Sequence, residues 1–141
     1  MNTTWQIAAI LPRFYEKNAK SLGGIVGQFK IISYEFGHDS ELVDASTSPP
    51  TLRPYDAARN DTPGKFYAGD FGSGDVIYNE DGRLLFKCSM PENAISEPVQ
   101  YSLTVLRDMD GDAVAVSVDL PDWVVPAEGV ETHPYLNFPV S

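Results

Sequence analysis

A mainly β fold of α+β character is predicted by this sequence: an antiparallel β-sandwich-like domain with one short N-terminal helix and an extended C-terminal tail. Three observations predict it. Two runs of every-other-residue hydrophobicity flank an Asp-Gly pair at 110–111, a third such run ends at Met90, and only residues 12–22 repeat apolar residues at spacings of three and four. A chain of 141 residues is the size of one domain, 1–141, and buries about two thirds of its unfolded surface. With 43% hydrophobic and 21% charged residues it has the composition of a globular protein.

Pro12 opens the predicted helix, since proline loses nothing at the first helical position. Leu11, Phe14, Tyr15, Asn18, Ala19 and Leu22 form the face expected to pack, with Arg13, Glu16, Lys17 and Lys20 opposite. Gly23 and Gly24 end it, because glycine reaches the left-handed conformation of a C-terminal cap. The segment QFKIISYEF, 28–36, reads as a strand interior to a sheet, being apolar on both faces. Residues 37–74 are rich in Pro, Gly, Asp, Ser and Thr and predict a long irregular excursion, of the kind that is either functional or ordered by a partner.

Hairpins are expected over 75–120. In RLLFKCSM, Leu84, Phe86, Cys88 and Met90 alternate with polar residues, and Leu85 is the one apolar exception on the outer face. Val99, Tyr101, Leu103 and Val105 form one inward set, and Val114, Val116, Val118 and Leu120 another. Asp110-Gly111 between them, and Asp81-Gly82 before RLLFKCSM, predict type I′ turns. Residues 121–141 carry further prolines, which discourage a central strand and predict an extended proline-containing tail. Its end is apolar at Tyr135, Leu136, Phe138 and Val140, so it is expected to pack: either over the edge of its own sheet or, with Trp123, against another subunit.

A net charge of -10 repels phosphate backbones and anionic lipid, so neither nucleic acid nor membrane is an expected partner. The opening MNTTWQIAAILPRFYEK shows no basic leader with a long apolar block, which sets the expectation of synthesis and retention in the producer's cytoplasm. The single cysteine, Cys88, forms no disulfide framework within the chain.

Candidate chemistry is sparse. Asp108, Asp110 and Asp112 have the i, i+2, i+4 spacing of the first ligands of a calcium loop, but Ala113 and Asp119 stand where such a loop needs glycine and a bidentate glutamate. A hairpin turn with solvated carboxylates explains the same residues. His38 and His133 are far apart and read as solvated loop residues, Gly72-Ser73-Gly74-Asp75 reads as a turn, and Glu80 and Asp81 lie where water keeps carboxylates ionised. The expectation is a protein with no cofactor that is not an enzyme.

Three stretches follow an order that carries a resemblance: ILPRFYEKNAKSLGGIVGQFKIISYEFG, LLFKCSMPENAI and YSLTVLRDMDGDAVAVSVDLP. Together they resemble the N-terminal attachment domain of bacteriophage tail fibre proteins of the tail-collar type. Val105 departs from the glycine common before that family's hairpin turn, and residues 40–64 match nothing in it. The resemblance implies a structural component of a virion tail, a fibre or fibre-adaptor subunit attaching to the baseplate. Its partners would be other tail or baseplate proteins, in a homotrimer or another symmetric assembly. The alternative expectation is a carbohydrate-binding β-sandwich module, with Trp5, Trp123, Tyr55 and Tyr67 offering stacking faces.

Overall fold

A computed structural model describes residues 4–48, 51–53 and 55–138, with the side chains of 4–6 outside the description. Among the described residues it is mainly β with one α-helix, in two five-stranded sheets and a separate two-stranded one. The first runs β1(Thr4–Ile7), β12(Val130–Asn137), β8(Arg83–Phe86), β7(Val76–Tyr78), and β9(Cys88–Met90) also pairs with β12. The second runs β2(Ala9–Ile10), β11(Ala113–Val124), β10(Val99–Asp108), β3(Ile31–Gly37), β6(Tyr67–Asp70). The pairings are antiparallel except β1 with β12, which is parallel. Phe36, Phe86, Met90, Tyr101, Leu106 and Leu136 fill the space between the sheets, each no more than 2% exposed.

Helix α1 spans Pro12–Leu22. Gly23 keeps a right-handed backbone, and it is Gly24 that turns left-handed, at φ 70°, while the Gly24 and Ile25 amides bond back to Ser21 and Lys20. The packed face differs from expectation. Phe14 is the helix residue that is buried, while Tyr15, Asn18, Ala19 and Leu22 are exposed and Arg13 and Lys17 turn partly inward. The reason is electrostatic: the sheet presents acceptors to this face, the Ala113 carbonyl for Arg13 and three carboxylates for Lys17.

The alternating sets also change phase. Across the β10–β11 ladder the register jumps between Tyr101, opposite Asp122, and Leu103, opposite Val118. Tyr101 and Leu106 therefore join the inter-sheet core, while Leu103, Val105 and Val116 face the other side. That second side is not solvent. Leu42 and Tyr55, from the expected excursion, cover it with Leu11, which is why Ser102 is buried rather than outward and wet, while Thr104 turns to the inter-sheet side and bonds to the Tyr101 hydroxyl at 2.8 Å.

The described residues of 37–74 thus form a docked cover with structure of its own: a 3-10 turn at Ser40–Leu42, the pair β4(Val43–Asp44) and β5(Thr51–Leu52), and edge strand β6. Both Asp-Gly turns differ from type I′, because only Gly82 and Gly111 have positive φ. The Gly111 amide bonds to the Asp108 carbonyl and the Asp108 amide to that of Asp112, a three-residue loop closed by a left-handed glycine.

The tail is the largest correction. β11 continues through Pro121 to Val124, and 130–137 is an interior strand rather than an extended appendage. Proline is tolerated at 134 because the ladder toward β8 and β9 is open there: Thr132 pairs with Cys88 and Tyr135 with Leu85, but no pair joins Pro134 to Phe86 between them. That same break divides RLLFKCSM into β8 and β9, and Leu85 on its outer face is buried too.

Candidate docking surface

The three aspartates do converge, but on an internal cation. Lys17 Nζ lies 2.6 Å from Asp108, 3.1 Å from Asp110 and 2.7 Å from Asp112. Asp108 is not solvated: it is 3% exposed, and its other oxygen accepts the Asp110 and Asp112 amides. Burial opposes the charge on Lys17, but the three carboxylates outweigh it and hold the ammonium's pKa above its ordinary value. Lys17 and the side-chain amide of Asn60 hold the Asp112 carboxyl below its ordinary range. Here the ammonium stands where a metal would, and the cluster fastens α1 to the hairpin.

Glu35 and Asp39 are committed in the same way. Burial would raise the pKa of Glu35, but bonds from Thr62 (2.6 Å), Arg107 (2.6 Å) and Lys65 (3.3 Å) reverse it and lower it. Arg59 bonds to Asp39 at 2.6 Å and lowers its pKa, while Asn60 receives the Ala113 amide and donates to Asp112. Sequence spacing gave no sign of these partners, which lie 20–72 residues apart.

Neither histidine is a solvated loop residue. His38 is half-buried with Nδ1 3.0 Å from Ser102 Oγ, and that hydroxyl, 1% exposed, also accepts the Asp39 amide. Its serine is therefore an anchor for the cover rather than an accessible nucleophile. His133 lies on β12, its imidazole 3.6 Å from Glu131. Cys88 is fully buried, and burial pushes its thiol well above the ordinary range, where it is a poor nucleophile.

The residues expected to dock divide. Leu136 is 0% exposed and belongs to the chain's own core, so it offers nothing to a partner. Phe138 packs against the same core, 6.2 Å from Phe14, and Tyr135 is half-buried beneath the Arg83 guanidinium. Trp123 is 59% exposed on β11, and Val140 lies outside the described residues. Of the aromatics considered for sugar stacking, Tyr55 packs in the second core under Arg59 and Tyr67 against the first, and the side chain of Trp5 is outside the description.

Exposed apolar side chains instead gather in two places that periodicity had assigned to the interior or to an ordinary hairpin. One is the outer stripe of α1 with its C-terminal turn, where Tyr15 is 58%, Leu22 83% and Ile25 76% exposed. The other is β7, where Val76, Ile77 and Tyr78 are all exposed at the end of a sheet. Grooves of about 300 Å³ and 290 Å³ flank β7, one lined by Phe14, Phe29 and Val76, the other by Ile77, Leu85 and Lys87. Among the described residues no helix is long and apolar enough to cross a membrane. No family model matches the chain, and no match was found among curated proteins or solved structures.

Proposed function

We propose that this chain is a structural subunit of a bacteriophage tail, a fibre or fibre-adaptor piece that attaches to the baseplate and works in the virion by docking. The observation that carries this reading is the outer stripe of α1. A helix face with Tyr15, Leu22 and Ile25 mostly in water has the composition of a buried face, and large apolar patches on a folded domain mark contacts with other chains. The stripe lies within ILPRFYEKNAKSLGGIVG, part of the first stretch that resembles tail-collar fibre proteins. The other two stretches supply β8 and β9, and the β10–β11 hairpin, so the likeness falls on the framework that supports the helix.

The partners under this reading are tail or baseplate proteins, in a homotrimer or another symmetric assembly. A stable joint there buries on the order of 1,000 Å² or more, which the stripe supplies together with surface around it. Mass spectrometry of purified particles tests the reading. The chain should be present in the virion, and a phage carrying Leu22→Glu with Ile25→Glu should assemble particles lacking it while the variant still folds. Absence of the wild-type chain from purified particles overturns the proposal.

Exposure of Trp123 is the one observation that favours a carbohydrate-binding module instead. Sugar-dependent binding on a glycan array, lost in Trp123→Ala, would establish that alternative.

A further inference from the structure

We infer that β7 pairs with β7 of a second copy of this chain across a two-fold axis, joining two four-strand paths into one continuous sheet. This stands apart from the phage-tail reading. It rests on three features of the strand itself.

First, β7 is an edge with unused backbone. It pairs with β8 alone, with Val76 opposite Phe86, Ile77 opposite Leu85 and Tyr78 opposite Leu84. The Asn79 amide bonds to Arg83 and the Lys87 amide to Asp75, which fixes the alternation: 75, 77 and 79 face β8. The N–H and C=O groups of Val76 and Tyr78 therefore point outward, away from the sheet.

Second, those outward groups are self-complementary. An antiparallel copy centred on Ile77 sets Val76 opposite Tyr78 of the second copy, and these two residues exchange both hydrogen bonds. The same happens on the other side of the axis, giving four bonds in all, while Ile77 meets Ile77 in the close, non-hydrogen-bonded pairing. Apolar side chains meet apolar side chains on both faces. On the outer face, Tyr135, Leu85 and Ile77 of each copy would form one row.

Third, the charges permit it here. Two copies of net charge -10 repel, so association requires an edge free of opposed like charges. Residues 76–78 carry none, and the pairing sets Asp75 opposite Asn79 rather than opposite another acid. The usual protections of an exposed edge, a lysine, a proline or a bulge within the strand, are missing from β7. The short strand makes a small interface, below about 1,200 Å², so the dimer is weak and reversible.

Sedimentation equilibrium and oxidative cross-linking test this. The wild-type chain should form a concentration-dependent dimer, and Ile77→Lys should weaken it by roughly tenfold or more by opposing two lysines, with an unchanged melting temperature. Ile77→Cys should oxidise to a linked dimer, since the close pairing holds Cα atoms about 4.5 Å apart, within disulfide reach. Tyr78→Cys, facing Val76, should not, and buried Cys88 does not compete. A chain that stays monomeric at millimolar concentration overturns the inference. So does an oligomer indifferent to Ile77→Lys, or equal cross-linking through positions 77 and 78.

Discussion

Lys17 and Asp108, 91 residues apart, meet at 2.6 Å, and the aspartate's side chain is only 3% exposed. One ammonium from the helix thus offsets part of the charge of a hairpin turn that carries three carboxylates. Removing it leaves a buried carboxylate beside two like charges, and breaking a buried pair in this way costs several kcal/mol. Because Lys17 retains some solvent contact, Lys17→Met should cost on the order of 2–3 kcal/mol, a fall of roughly 6–10 °C in melting temperature by calorimetry. Calcium provides the control. Millimolar calcium should stabilise the Lys17→Met variant and leave the wild type unchanged, because in the wild type the ammonium already fills the space between the oxygens.

Acid should weaken the fold through named carboxylates. Glu35, whose ordinary value is 4.5, and Asp39 and Asp112, ordinarily 3.8, are all held lower in the folded chain by their cationic and hydroxyl partners. The unfolded chain then binds more protons, so this stability is fully present above about pH 4.5 and is lost as pH falls through the folded values. Asp119 opposes the trend, because burial raises its pKa and its ionised form destabilises the fold at neutral pH. Urea midpoints measured from neutral pH to about pH 3 should fall, and more shallowly in Arg107→Gln, which has lost one partner of Glu35. Asp119→Asn should raise the midpoint at neutral pH and lose that advantage at low pH.

Local signals in the sequence were legible wherever one residue type dictates the backbone. Pro12 and the Gly23-Gly24 pair bracketed α1, and the two Asp-Gly pairs marked both hairpins. What depended on distant partners was not. The helix face was misread because hydrophobicity alone cannot foresee that Lys17 will turn toward three aspartates 91–95 residues away. Tyr101 and Leu103 were assigned one face because alternation assumes an unbroken ladder, and the register jump between them is a property of the pair of strands. Pro134 argued against an interior strand, but its missing donor falls in the gap between the Thr132–Cys88 and Tyr135–Leu85 pairs. The apolar edge of β7 had the same hydrophobic letters as a paired strand, and only the strand order exposes it.

The cover over 38–64 should open when its close approach to β3 is blocked. A Cβ at Gly37 would stand 2.3 Å from the Pro63 carbonyl oxygen, the acceptor of the His38 amide, and 3.0 Å from a Thr62 methyl group. Backbone cannot give way as a side-chain tip can, so Gly37→Ala should cost about 1–3 kcal/mol. The cost should be local. Limited proteolysis with trypsin should cut the variant at Arg59 or Lys65 well before the wild type, while the β10–β11 hairpin stays protected from hydrogen exchange.

Truncation separates an appended tail from a structural strand. β12 lies between β1 on one side and β8 and β9 on the other, and it contributes Val130, Thr132 and Leu136, each no more than 2% exposed. Ending the chain after Glu128 removes these residues and leaves β1, β8 and β9 without their shared partner. A docked appendage worth one edge contact could be lost at a cost of a kcal/mol or two, but loss of an interior strand removes the ladder on both sides and the core beneath it. The truncated chain should therefore lack a cooperative thermal transition and near-ultraviolet dichroism. A chain ending after Phe138 should retain both, because Leu136 and the Phe138 amide, bonded to the Gly82 carbonyl at 2.7 Å, are still in place. Cooperative melting of the shorter chain would show that 130–137 is dispensable and that the first sheet closes without it.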